Sequence, residues 1–339
     1  VLAKSAPWWV GVDTSKIGAA IVAFDFEVGS PPGNLRGNPM ESGTRARSIG
    51  VIGLGLMGTA LAERFLEAGF VVRIWNRTRD KAERLLTQGA NWSECPMQDV
   101  DCVVVSLYTT EVVTDVLEGF AHAWHPGLSV IDTTTGEPGK VEALAARLAD
   151  HGVDYLEAPI SGSSVQTRQG EATVLVGSSG EAFERWRDLW ALMGAKVIRT
   201  GPVGSASRMK LITNLVLGLN RAVLAEGLAY AEALGVAPAA ALEVLSASMA
   251  YSRAMDVKGR KMVDRDYAVQ ARLSQHLKDI RLILGSAAEA GLSLPFSEVH
   301  RGLLERAESE GLGEADNSAI LEVLRLRVRS RDSAEASAS

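Results

Sequence analysis

Ser48–Thr78 reads SIGVIGLGLMGTALAERFLEAGFVVRIWNRT, and its periodicity changes twice. Ile49 to Ile52 is a short apolar run of strand length, followed by Gly53-Leu54-Gly55-Leu56-Met57-Gly58, a G-x-G-x-x-G turn. From Met57 the apolar residues take helical spacing: Leu61, Phe65 and Leu66 share one face, and Gly69 closes the run. Val71 to Trp75 then predicts a second strand. Strand, glycine turn, helix and strand in about thirty residues form the setting in which this motif reads as a dinucleotide site. Gly53 permits the tight turn, Gly55 lets backbone approach a pyrophosphate, and Gly58 lets the helix pack close to the strand. The helix start offers free N–H groups and a partial positive charge to the phosphates.

The end of the second strand narrows the cofactor. An NAD site of this kind carries an acid about 20 residues on, where it holds the ribose hydroxyls. Asn76-Arg77-Thr78 occupies that corner instead, and no carboxylate stands between Glu67 and Asp80. A guanidinium offers a fork to a 2′-phosphate, which a carboxylate would repel. The expected cofactor is therefore NADP(H), held by residues 53–58 (Leu54, Leu56 and Met57 with the three glycines) and by Asn76, Arg77 and Thr78.

Bulk composition bounds the rest. At 339 residues and 47% apolar content the chain can form two domains with a sizeable core. The charge is mildly acidic, with 35 Lys+Arg against 41 Asp+Glu, and no basic block argues for nucleic acid. Cys95 and Cys102 match no zinc or redox spacing, the five histidines form no metal-ligand pair, and a reducing cytoplasm is expected. Unbroken apolar runs such as Ile17 to Phe24 are far short of a membrane span.

Residues 1–47 look unlike the nucleotide-binding segment. Trp8 to Phe26 alternates like two short strands, and Gly29 to Asn38 is Gly- and Pro-rich, so residues 1–47 read as an extension or linker. Residues 48–203 read as the nucleotide-binding domain. Within it a helix is expected from Asp80 to Leu86 and strands at 101–106, 129–132, 153–157, 172–176 and 196–200. Ligands in open α/β sheets bind beyond the carboxyl ends of strands, so the loops Leu107-Tyr108-Thr109-Thr110 and Thr133-Thr134-Thr135 should face the cofactor. From Gly204 the pattern becomes helical to about residue 330, with residues 331–339 a disordered tail. Ser205 to Leu234 has no proline and is apolar almost all round, which predicts a long buried helix.

Lys210 lies near the start of that helix, with Asn214 four residues on and so on the same face. A lysine in apolar surroundings has a disfavoured charged form, which suits acid–base work. The same residue could equally snorkel from the first turns of the helix. Spacing alone leaves both readings open.

From Ser48 to about Leu324 the chain resembles the β-hydroxyacid dehydrogenases, the family of 3-hydroxyisobutyrate and tartronate semialdehyde dehydrogenases. The resemblance rests on an ordered set: GLGLMG, Glu157-Ala-Pro-Ile-Ser-Gly-Ser163, Lys210 with Asn214, Lys278-Asp279, and Gly313-Glu-Ala-Asp316-Asn-Ser318-Ala319. It implies a Rossmann domain joined by a long helix to an all-α domain for substrate binding and dimerisation. It also implies hydride transfer between nicotinamide and a small β-hydroxyacid or its semialdehyde. Lys210 would be the general acid or base and Asn214 would orient the substrate oxygen. Ser161, Gly162 and Ser163 would hold the substrate carboxylate, Thr135 and Lys278 would contact the nicotinamide half, and Leu107 and Tyr108 would line the cofactor groove. The assembly implied is a homodimer or homotetramer. Three positions depart from the family pattern: Ser163 for a second glycine, Thr213 for an asparagine, and Tyr108 for a common proline. Imine reductases resemble the same architecture and share the Asn-Arg-Thr corner, but usually carry aspartate or tyrosine where this chain has Lys210. A cofactor-sensing protein without turnover is the alternative from another class.

Overall fold

The computed structural model describes residues 27–28 and 47–325. The hairpin expected at Trp8–Phe26 and the tail at 331–339 lie outside them. Ten strands form one sheet: β1 (Glu27–Val28), β2 (Ser48–Ile52), β3 (Val71–Trp75), β4 (Asn91–Trp92), β5 (Cys102–Val105), β6 (Ser129–Asp132), β7 (Asp154–Glu157), β8 (Ile160–Ser161), β9 (Thr173–Gly177) and β10 (Lys196–Gly201). Their order is β1-β10-β9-β7-β6-β5-β2-β3-β4, with β8 paired to β9. From β4 to β7 the neighbours are parallel, while β9 runs antiparallel to β7 and β1 antiparallel to β10. The order turns back on itself between β2 and β5, and that switch point puts the crevice beyond Ile52 and Val105.

Strand alternation builds two apolar layers. Val51 and Val104 face one layer with Leu61 and Phe65, and Ile52, Val103 and Val105 face the other with Val113 and Leu144. The helices of this half are α1 (Leu56–Glu67), α2 (Glu83–Thr87), α3 (Thr110–Gly119), α4 (Pro138–Ala149), α5 (Ser164–Gln169), α6 (Gly180–Arg185) and α7 (Arg187–Met193). The second half holds α8 (Ser205–Ala233), α9 (Pro238–Ala247), α10 (Arg260–Asp264), α11 (Leu273–Glu289) and α12 (Pro295–Ala307), around a third core that includes Leu224, Leu228, Leu277 and Leu304. The architecture is an α/β Rossmann-like domain followed by a helical domain.

Helix α8 corrects one expectation. It is long and apolar enough by composition to cross a bilayer, yet it packs against β9, β10, α11 and α12 and buries Lys210, Asn214 and Arg221, as a core helix does. It is not buried all round. Ile212, Val216, Val223 and Tyr230 are each more than half exposed and recur at intervals of four and seven, so they form one stripe. Among the described residues, one face of α8 is covered and the other is left uncovered.

Candidate active site

The three glycines of the turn differ as their roles require. Gly53 has φ 94°, and a Cβ there would come within 2.2 Å of the Ser106 carbonyl oxygen. A Cβ on Gly58 would lie 1.9 Å from the Gly53 oxygen, so helix and turn touch backbone to backbone. Around Gly55 there is open space, and it caps α1 without a side-chain bond or an acid in the first turn. With no side chain over it, the start of α1 lets a pyrophosphate come close to the first-turn N–H groups. Leu54 is buried, Leu56 exposed, and Met57 reaches sideways to accept from the Thr167 hydroxyl at 3.1 Å.

Asn76 ties the turn to the end of β3. Its Oδ1 accepts from Leu54 N–H at 3.0 Å, and its Nδ2 donates to the Thr78 carbonyl at 2.8 Å. Arg79 stacks on Trp92, with its guanidinium carbon 5.0 Å from the ring centre. Arg77 and Thr78 are exposed, and no carboxylate pairs with Arg77 among the described residues. A guanidinium left unpaired at this corner fits a 2′-phosphate.

The loops after β5 and β6 meet through one residue of the helical half. Lys278 Nζ donates to the Tyr108 and Thr135 carbonyls, both at 3.1 Å, and pairs with Asp279 Oδ1 at 3.0 Å. It also lies over the Tyr108 ring, 5.5 Å from the centre. Leu107 N–H donates to Thr134 Oγ1 at 3.1 Å, and Asp132 anchors the same loop by accepting from Thr134 N–H and the Tyr155 hydroxyl. Lys278 thus acts first as a clasp between the two halves, with its three donor directions engaged.

Lys210 is buried at 7% exposure, and no hydrogen-bond partner for its ammonium occurs among the described residues. A snorkelling lysine holds its head in water, whereas little of Lys210 reaches the surface. Desolvation lowers its pKa to about 8, against the pull of Asp279 and with a smaller push from Lys278. Asn214 Nδ2 donates to Asp279 Oδ2 at 2.9 Å, which fixes the amide and leaves its oxygen and second proton uncommitted. An ammonium and an amide on one helix face, beside the sheet's carboxyl edge, can hold a substrate oxygen and exchange a proton with it.

The Ser161–Ser163 segment begins on the last residue of β8, which lies against α8. Ser163 caps α5 in a reciprocal box: its N–H donates to Gln166 Oε1 at 2.9 Å, and its Oγ accepts from Gln166 N–H at 3.2 Å. The hydroxyl protons of Ser161 and Ser163 are uncommitted among the described residues, whereas the Ser163 N–H is engaged.

Three further groups were given no role by the sequence. Glu157, at the end of β7, accepts from Ala206 N–H (2.7 Å) and Ser207 N–H (3.0 Å) and from the Ser207 hydroxyl, so it caps the start of α8. Burial pushes its pKa up to about 7 against those donors. Asp279 orients Asn214, and its place in the Lys278-Asp279 pair is the signal that could have found it. Deeper along α8, Arg221 is 3% exposed with Nε and Nη2 unbonded, beside His276 and His300. Those rings sit 5.2 Å apart and pack on Gly218. Burial drives both imidazole pKa values down, His300 to about 4.

A dinucleotide turn joined to a helix-borne lysine and amide defines a nicotinamide-dependent oxidoreductase of the Rossmann-plus-helical-domain class. Residues 48–201 match the family model for the NAD binding domain of 6-phosphogluconate dehydrogenase. Residues 204–324 match that for the NAD-binding domain of NADP-dependent 3-hydroxyisobutyrate dehydrogenase. L-threonate dehydrogenase of Cupriavidus necator is 32% identical over 82% of this chain and 96% of its own. Glyoxylate/succinic semialdehyde reductase 2, chloroplastic, of Arabidopsis thaliana is 30% identical over 82% and 79%. Among solved structures, Psf3 in complex with NADP+ and 2-OPP is 28% identical with a TM-score of 0.74, covering 81% of this chain and 99% of that one. An imine reductase from Pseudomonas sp., 21% identical over 83% of this chain and all of its own with a TM-score of 0.59, shares the fold. The chain belongs to the 3-hydroxyisobutyrate dehydrogenase family of hydroxyacid dehydrogenases, and it is an oxidoreductase acting on CH–OH groups.

Proposed function

We propose that this protein is an NADP(H)-dependent reductase of small carboxylate-bearing semialdehydes, and the dehydrogenase of the matching hydroxyacids. The observation that carries the reading is Lys210: a buried, unpartnered ammonium with a pKa of about 8, set beside an amide that Asp279 orients. The choice of NADP(H) is supported by the unpaired Arg77 and by the NADP+ complex of Psf3. The carboxylate in the substrate is supported by the names of the relatives, which act on L-threonate and on glyoxylate and succinic semialdehyde.

When bound, the nicotinamide supplies or accepts hydride. The protein's residues do the rest. The α1 N-terminus and residues 53–58 hold the phosphates, Arg77 takes the 2′-phosphate, and Lys278 fixes the Tyr108 and Thr135 loops that border the groove. The Ser161–Ser163 loop receives the substrate carboxylate. Asn214 positions the substrate oxygen, and Lys210 delivers a proton to it in reduction or removes one in oxidation. The uncovered stripe of α8 supports a homodimer, because an apolar face of that length is closed by a second copy more readily than by water. Work in a reducing cytoplasm accords with two free cysteines.

The test is NADPH consumption against glyoxylate, succinate and tartronate semialdehydes and one cyclic imine. A positioned acid contributes about 10²–10⁴-fold, so Lys210→Ala is expected to lose that much turnover on a semialdehyde while still binding NADPH. Full retention refutes the role, and turnover of the imine alone replaces the semialdehyde reading. Arg77→Asp should weaken NADPH far more than NADH; equal losses would remove the 2′-phosphate contact.

A further inference from the structure

The capping box beside the substrate loop leaves half of an amide unused. Because Ser163 N–H can only donate, the Gln166 oxygen must face it, and Nε2 is turned away with its two protons. Among the described residues nothing accepts those protons, and Gln166 is only partly buried. The amide also covers the loop itself, since a Cβ placed on Gly162 would meet Gln166 Oε1 at 3.4 Å. Two consequences meet at one spot. The Ser163 N–H, a natural donor to a carboxylate, is already engaged, and an uncommitted neutral donor stands directly beside it.

Resting on the semialdehyde reading, we propose that Gln166 is a substrate-binding residue whose Nε2 donates to the substrate carboxylate in place of the Ser163 amide. The box makes this donor rigid: Gln166 is held at its backbone N–H by Ser163 Oγ and at its side-chain oxygen by Ser163 N–H. A preset donor selects for a carboxylate at that point without adding a charge that would hold product.

Gln166→Glu separates this role from a purely structural one. Glutamate at the same place closes the box as well as glutamine does, but it has no protons to give and sets a negative charge against the substrate. The variant is expected to raise KM for succinate semialdehyde about 10- to 100-fold, the worth of a hydrogen bond to a charged group. Its kcat, KM for NADPH and KM for butyraldehyde, an uncharged aldehyde of the same chain length, should stay at wild-type values. Gln166→Met, which loses the donor without adding charge, should give a smaller rise in the same constant. A wild-type KM in both variants overturns the proposal, as does a parallel fall in kcat and NADPH affinity, which would mark a role in the fold alone. Wild-type protein that binds NADPH yet reduces no carboxylate-bearing aldehyde overturns the underlying reading instead, and shows itself before any variant is made.

Discussion

Lys258 and Arg221 are both cations sunk in the helical half, and their surroundings are opposites. Lys258 Nζ lies 2.8 Å from each oxygen of Asp316 and 3.3 Å from Gln270 Oε1. Asp316 is saturated in turn by the N–H groups of Gln270, Ala271 and Ser318 and by the Ser318 hydroxyl. Among the described residues, Arg221 has two unbonded nitrogens, and its neighbours His276 and His300 leave three more ring nitrogens without partners. The acids that act on it electrostatically, Asp316 and Asp279, are committed to Lys258, Lys278 and Asn214. A buried charge stabilises a fold when its partners match it; otherwise desolvation is left uncompensated.

The contrast can be broken from either side. Lys258→Met should cost about 3–5 kcal/mol, because it strands a fully buried carboxylate; denaturant melts measure it, and a loss below about 1 kcal/mol would dissolve the distinction. Arg221→Met should move the other way, gaining about 1–4 kcal/mol, since an apolar side chain of similar length removes an unmatched charge. Destabilisation there would mean that the guanidinium has a partner in solution. The smallest effect concerns Lys210, the third buried cation, whose isolation serves chemistry. With its pKa at about 8, the protonated fraction falls as pH rises through that value. Reductive kcat/KM should therefore decline above about pH 8 by about tenfold per unit, while alcohol oxidation rises through the same range. A flat profile from about pH 7 to 10 would exclude Lys210 as the titrating group.

Ser48–Thr78 was legible because each period change there is local: Gly53 turns the chain and Gly58 lets helix and turn meet, as their order in the chain implies. That Lys210 and Asn214 share a face of α8 was legible for the same reason, since they lie one helical turn apart. The long-range contacts around them were not. Glu157 caps α8 from about fifty residues upstream, and Asp279 reaches Asn214 from sixty-five residues downstream; no local period carries such pairings. The short β4 carries too few residues to show alternation. The exposed face of α8 is invisible for a different reason: apolar residues on every side do not tell which side the rest of the fold packs against. Gln166 could have been found, since Ser163-x-x-Gln166 is a capping-box pattern in plain view.

Lys278 has a mechanical consequence. One ammonium sits where two loops of the sheet and one helix of the second half converge, so all three share a single point of attachment. Turning about that point leaves its contacts with Tyr108 and Thr135 intact, whereas drawing the halves apart breaks both together. A pull that separates the two loops from the helix therefore has both bonds of one ammonium to break at once.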